Sequence, residues 1–213
     1  MKLKIISFAA ALLMAAPAVC GCSMFKDDEK EENTFETDNA LDEVFADVPD
    51  AESGPLLKIQ DTEAEPGGIA EVTVSVSNAK DKWCLCGFHI VYDDELDCIN
   101  VREGEPDAKY TAGPASSEAP LRVAMEWFGT KPNEMLDRDL DAIFYTAAFA
   151  DDYGGDGDIA TFYIQIPEDA ESGDEYDVDF YYYSTDTFKG MDDDRSFEKY
   201  AFSNWEGGKI TVK

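Results

Sequence analysis

One histidine, five cysteines and 47 carboxylates are the side chains of this 213-residue chain that could do chemistry. The histidine, His89, stands alone, so no multi-histidine metal site is possible. No nucleophile lies at a recognisable spacing from it, so it is read as an amphipathic surface residue. Paired carboxylates can cleave glycosides. With 35 acids between Pro55 and Lys213, however, some pair always falls at a workable distance, and the pairing carries no information. Asp151-Asp152-Tyr153-Gly154-Gly155-Asp156-Gly157-Asp158 is the one stretch suited to calcium, but it lacks the ligand spacing and closing Glu of an EF-hand loop. It is read as a solvated turn, as is Asp192-Asp193-Asp194. Cys84, Cys86 and Cys98 are an odd set. Cys84 and Cys86 share a strand face and suit no mutual bridge, while a bond from either to Cys98 leaves one thiol over. Small buried residues are the simpler account. No catalytic residue, metal or cofactor is expected on this chain.

The elements that would position such residues begin after a long acidic lead. The formal charge is -30, yet 44% of the chain is apolar and 12% aromatic, so a folded core is expected rather than an acidic disordered polymer. Phosphate backbones would repel it, which excludes nucleic acid as a partner. Lys2 and Lys4 precede an apolar run, Ile5 to Ala16, too short to span a bilayer. Ala16-Pro17-Ala18 suits cleavage after Ala18, whereas Val19-Cys20-Gly21-Cys22 resembles a bacterial lipobox in which Cys22 is acylated. The lipoprotein reading is favoured, because a polar tether follows Cys22. Residues 1–21 are then a signal peptide and residues 22–54 a linker, whose 12 acids against Lys26 and Lys30 keep it extended. A short amphipathic helix around Leu41, Val44, Phe45 and Val48 is possible but not demanded.

Residues 55–213 alternate short apolar runs with turn signals, the pattern of a β-sandwich. Val72, Val74 and Val76 alternate with Glu71, Thr73, Ser75 and Ser77, a strand with one buried face. Leu121, Val123, Met125 and Trp127 alternate with Arg122, Ala124, Glu126 and Phe128. Further runs are Leu56–Ile59, Trp83–Tyr92, Leu96–Val101, Ile143–Ala150, Ile159–Ile166, Tyr176–Tyr183 and Lys209–Val212. Pro132 could start a short helix in the interruption Lys131–Asp141. The expected fold class is all-β: a nine-stranded jelly-roll β-sandwich.

Trp83-Cys84-Leu85-Cys86-Gly87-Phe88-His89-Ile90-Val91-Tyr92-Asp93, followed by Leu96, resembles the third strand of cohesin modules. Phe149-Ala150-Asp151-Asp152 with its glycine-rich turn is similar to the ending of their sixth strand, and Gly207-Gly208-Lys209-Ile210-Thr211-Val212 to their last. The resemblance spans Pro55 to Lys213. It implies a non-catalytic receptor for dockerins, the small calcium-loaded helical modules borne by fibre-degrading enzymes and scaffold proteins. Calcium then belongs to the partner. It also implies a binding surface on one sheet face made by the third, fifth, sixth and eighth strands of nine. A monomer attached to the membrane only through an N-terminal lipid is expected, on the outer side of a bacterial cell.

Strand parity then selects residues. Cys84, Cys86, Phe88, Ile90 and Tyr92 form the more continuous apolar row, so Leu85, Gly87, His89 and Val91 are expected to face outward. Tyr181 and Tyr183 face away from Val178, Phe180 and Tyr182 and are expected to join them. The resemblance carries the family's contact positions onto Leu85, Gly87, Phe128, Ala148 and Asp151, and onto Phe197 and Lys199 in the last long loop. The best-known cohesins have Asn and Asp where Leu85 and Gly87 stand, and an acid near Lys199. Either this chain reads another dockerin class through a more apolar patch, or the correspondence is shifted. The rival reading is a carbohydrate-binding module using Trp83, Tyr181 and Tyr183 as a sugar platform.

Overall fold

A computed structural model describes residues 54–100, 109–126, 140–183, 185–192 and 196–213. The signal segment, the linker, Phe128 and the Lys131–Asp139 part of the interruption lie outside the described residues. Twelve strands and one helix are present among them. These are β1 (Leu56–Ile59), β2 (Thr62–Ala64), β3 (Ile69–Ser77), β4 (Leu85–Asp93), β5 (Asp97–Cys98), β6 (Tyr110–Ala112) and β7 (Leu121–Glu126). There follow β8 (Leu140–Ala148), β9 (Gly157–Gln165), β10 (Glu175–Tyr181), β11 (Thr187–Lys189), α1 (Ser196–Ser203) and β12 (Gly208–Val212). The all-β sandwich is therefore as expected. The excess over nine strands comes from three short segments, β2, β6 and β11, of three residues each. Three residues are too few to show a period-two pattern, and their ladders come from neighbours remote in the chain.

Two sheets pack face to face. The first runs β1-β3-β9-β5, with β6 also paired to β9. The second runs β2-β12-β10-β4-β8-β7, with β11 also paired to β4. Only β2 and β12 pair in parallel among these ladders. The expected third, fifth, sixth and eighth strands correspond to β4, β7, β8 and β10, so the second sheet sets all four side by side. Between β10 and β11 the chain turns, and Asp186 N–H donates to Tyr183 O at 2.7 Å.

The core between the sheets is built by alternation. Val72, Val74, Val76, Phe162 and Ile164 enter from the first sheet, and Cys86, Phe88, Ile90, Tyr145 and Phe180 from the second. Phe88 and Tyr145 stand 5.5 Å apart between ring centres, and Tyr145 and Phe162 at 6.0 Å join the two layers. Tyr145 carries its hydroxyl into this core, and burial pushes its ionisation well above the ordinary value. Ser116 Oγ lies 2.9 Å from that hydroxyl and donates to Ile159 O at 2.6 Å, so the polar atoms are paired.

β7 holds the main surprise of the packing. Its small residue Ala124 is buried and faces Tyr145 across the ladder, while Leu121 and Met125 are 53% and 40% exposed. The bulky row therefore points out and the small row in. Tyr145 fills the inner space beside Ala124, leaving no room for a second large side chain. Arg122, also inward, folds its guanidinium onto the carbonyls of Ser117 and Ala119.

The Asp-rich turn after β8 is exposed at Asp151, Tyr153 and Asp156, as expected of a solvated turn, and also serves as a clasp. Trp83 is fully buried between Phe149 and Phe188, at 5.4 and 5.3 Å, and its Nε1–H donates to Gly155 O at 3.0 Å. Asp156 Oδ1 accepts from Ala79 N–H at 2.7 Å and Asp152 Oδ1 from Met191 N–H at 2.9 Å. Gly154 lies directly against the Trp83 ring, where a Cβ would collide with ring carbons. Gly154→Ala is expected to destabilise the fold by about 1–3 kcal/mol through overpacking. Urea denaturation monitored by tryptophan fluorescence measures this, and an unchanged midpoint would refute the clasp.

Candidate apolar sheet face

The outer faces of the two sheets differ in kind. On the first, Glu71, Thr73 and Ser75 of β3 point out, and Thr73 and Thr161 join hydroxyls at 2.9 Å. That row is polar apart from Ile69, which is exposed at the start of β3. On the second, antiparallel register aligns three rows. Lys189, Leu85, Ala148 and Leu121 form one, and Thr187, Gly87, Thr146 and Val123 the next. The third is Tyr181, His89, Phe144 and Met125. None of these twelve positions is an acid, in a chain with 47 of them.

Exposure falls across this grid from β7 to β4 and β10, while Lys189 at the β11 corner is exposed. Leu121 and Met125 on β7 are open; Val123, Phe144, Thr146, Ala148 and Leu85 are half-buried; Gly87, His89 and Tyr181 are buried. Gly87 is small for a reason visible here. A Cβ on it would meet Phe144 Cε2 and Cζ at 3.3 Å, so the ring rests on the bare backbone of β4. Thr146 Oγ1 donates to Cys86 O at 2.8 Å, which commits its hydroxyl to the sheet.

The outward direction of the Leu85, Gly87, His89 and Val91 row holds, but its expected exposure does not. His89 is 1% exposed and is not a surface residue. Its Nδ1 lies 2.7 Å from Asp186 Oδ1, and the rings of Phe144 and Tyr183 stand 4.8 and 4.4 Å from it. Asp186 also accepts Tyr183 N–H through Oδ2 at 3.0 Å. The carboxylate thus ties the turn after β10 onto the sheet face, and the turn covers His89. Burial is the largest influence on Asp186 and raises its pKa, with the His89 hydrogen bond opposing. Val91 is buried with Leu140, Ala142 and Tyr181 in a second, smaller cluster on this outer face, and Tyr183 packs against it.

The remaining expected positions scatter. Ala148 sits beside Leu85, and Asp151 is exposed in the turn just beyond β8. Phe197 and Lys199 lie on α1 rather than in a loop, and Phe197 packs against Phe188 at 5.6 Å on the core side. Trp83 and Tyr181 are buried, so the sugar platform of Trp83, Tyr181 and Tyr183 does not exist as a surface. Cys84, Cys86 and Cys98 are buried thiols, and burial pushes Cys86 up to about 12. Among the described residues no group of three or more His, Cys, Asp or Glu could hold a metal ion, and no helix is long and apolar enough to cross a membrane. Leu121, Val123, Met125, Thr146 and Phe144 were not among the expected contacts. Counting back by twos from Ala148 reaches Thr146 and Phe144, so those two were within reach of parity alone.

No family model matches the chain, and no curated protein does either. Solved structures do. A type III cohesin module from the cellulosomal ScaE cell-surface anchoring scaffoldin of Ruminococcus flavefaciens superposes with a TM-score of 0.65 at 28% identity. That match covers 78% of this chain and 92% of that one. The sixth cohesin of Acetivibrio cellulolyticus scaffoldin B, solved in complex with a mutant Cel5 dockerin, shares the fold with a TM-score of 0.52 at 18% identity, over 75% and 99% of the two chains.

Removing Asp186 leaves His89 and Tyr183 N–H without their carboxylate. Asp186→Ala is expected to cost about 1–3 kcal/mol, as leaving a buried hydrogen-bonding group unsatisfied does. The raised pKa adds a sign. The Asp186 contribution is fully present below its ordinary value of 3.8 and is lost as pH rises through the raised folded value. The stability difference between wild type and Asp186→Asn should therefore change with pH in that direction. Thermal melts of both proteins across the acid range test it, and a pH-independent difference would contradict the assignment.

Proposed function

Because the chain carries a cohesin-type domain, we propose that it is a non-catalytic receptor that binds dockerin modules of enzymes or scaffold proteins in plant-polysaccharide breakdown. One observation carries the reading: the twelve aligned positions of β7, β8, β4, β10 and β11 on one sheet face include no acid and hold Leu121, Val123, Met125, Phe144 and Leu85, whereas the outward row of β3 on the other sheet is mostly polar. Interface centres are depleted in charge and rich in aromatic and apolar side chains. The cohesin of scaffoldin B, whose fold this chain shares, was solved with a dockerin bound. On this reading calcium belongs to the dockerin partner.

Residues 1–21 act as a lipoprotein signal, Cys22 carries the lipid, and residues 22–54 hold the domain off the membrane. Several acyl chains on one cysteine would anchor it firmly where one would not. The acidic domain favours partners with a basic rim and speeds their encounter more than it deepens their affinity.

Purified chain should capture dockerin modules in calcium and release them in chelator. Calorimetry against a dockerin panel measures this, and failure of every dockerin to bind in calcium would end the proposal. Cys22→Ala is expected to shift the protein from the membrane to the medium, read by fractionation. Retention in the membrane fraction would place the anchor elsewhere.

A further inference from the structure

Five large apolar side chains are exposed among the described residues: Ile69, Leu121, Met125, Tyr153 and Met191. Leu121 and Met125 belong to the sheet face already described, and Ile69 stands alone at the start of β3. Tyr153 and Met191, 66% and 58% exposed, lie elsewhere. They occupy adjacent turns on the end of the sandwich that the clasp around Trp83 closes, since Asp152 accepts the Met191 N–H. Gly154 N–H donates to Trp83 O at 2.9 Å and Asp81 N–H to Gly154 O at 2.8 Å, so the pair has a fixed backing.

The acidic tether enters the domain at this same end. Gly54 lies directly against the Tyr200 ring of α1, and its carbonyl accepts from Asn78 Nδ2 at 3.3 Å. One short loop therefore touches Gly54 through Asn78 and Gly154 through Asp81. Only residues 49–53 separate Gly54 from Val48, and five residues reach about 17 Å. Leu41, Val44, Phe45 and Val48 recur at the i, i+3, i+4, i+7 spacing of one helical face, which no other stretch of the tether shows. Asn39 suits the N-cap, Asp42 and Glu43 the first turn, and Pro49 stops the run. A run this short does not hold a helix alone in water, so the stripe needs a surface to cover.

We infer that residues 40–48 fold back as a short helix on the clasped end, with the Leu41, Val44, Phe45 and Val48 row covering Tyr153 and Met191. A five-residue connection holds the segment at roughly millimolar effective concentration. Two exposed side chains then suffice, where a separate partner would need a far larger surface. Ile69 is out of reach, eight residues along β3 from Ser77, or about 26 Å. Exposed charges around the pair are mixed, Lys80 and Lys82 against Asp81, Asp151 and Asp192, so apolar contact decides. Docking shortens the free tether: residues 22–53 fully extended span about 110 Å, and residues 22–39 about 60 Å. It also turns the clasped end towards Cys22.

Amide hydrogen exchange read by mass spectrometry on the mature chain, residues 22–213, tests the contact without dockerin or calcium. Amides of residues 43–48 should exchange about tenfold or more slowly than in the Phe45→Ser chain. Tyr153→Ser combined with Met191→Ser should abolish this protection while sparing the core, because both side chains are exposed. Leu121→Ser combined with Met125→Ser should leave it intact. Unprotected amides in the unaltered chain would overturn the placement. So would protection lost only with the β7 pair, which would seat the segment on β7, or protection that grows with protein concentration, which would assign it to a second copy. Failure to bind any dockerin leaves these results untouched, so the two readings fall separately.

Discussion

The antiparallel ladder between β4 and β8, nine residue pairs from Leu85↔Ala148 to Asp93↔Leu140, is the constraint on which the rest of this domain depends. It determines both faces of the second sheet at once. On one face it brings Phe88 beside Tyr145 in the core, and on the other it brings His89 beside Phe144 and Gly87 beside Thr146. Side chains alternate with a period of two, so a slip by one residue would exchange the faces and place His89 in the core. The hydrophobic cost of that exchange makes the register unique, and the candidate surface inherits its order from it.

The outer face is organised by a polar contact under an apolar one. His89 and Asp186 are both buried, and their hydrogen bond holds the turn that joins β10 to β11. The aromatic rings of Phe144, His89, Tyr183 and Tyr181 then follow one another at centroid separations of 4.8, 4.4 and 5.1 Å. Such a chain of rings stiffens half of the face and leaves the β7 half open.

Much of this was legible in residue order. The alternation of Val72, Val74 and Val76 and of Cys86, Phe88 and Ile90 reports which row meets the core, because each row is uniformly apolar and its partner row mixed or polar. β7 was not legible in the same way. Leu121, Val123 and Met125 look like a core row beside Arg122, Ala124 and Glu126, yet they face outward. Parity says that two rows lie on opposite faces, and only the size of Tyr145 on the neighbouring strand says which row can enter. His89 and Trp83 misled for a related reason. A histidine or tryptophan carries both an apolar body and a polar atom, so its type fits a surface or a core. The acceptors that settle the matter, Asp186 and the Gly155 carbonyl, lie 97 and 72 residues away.

Composition and short-range pattern were sufficient for the class of fold. That class depends on totals and on neighbours along the chain. Which apolar row is covered and which aromatic is exposed depend on contacts between strands far apart in sequence. Burial is decided by what lies across the ladder and above the sheet, and that is a property of the folded arrangement alone.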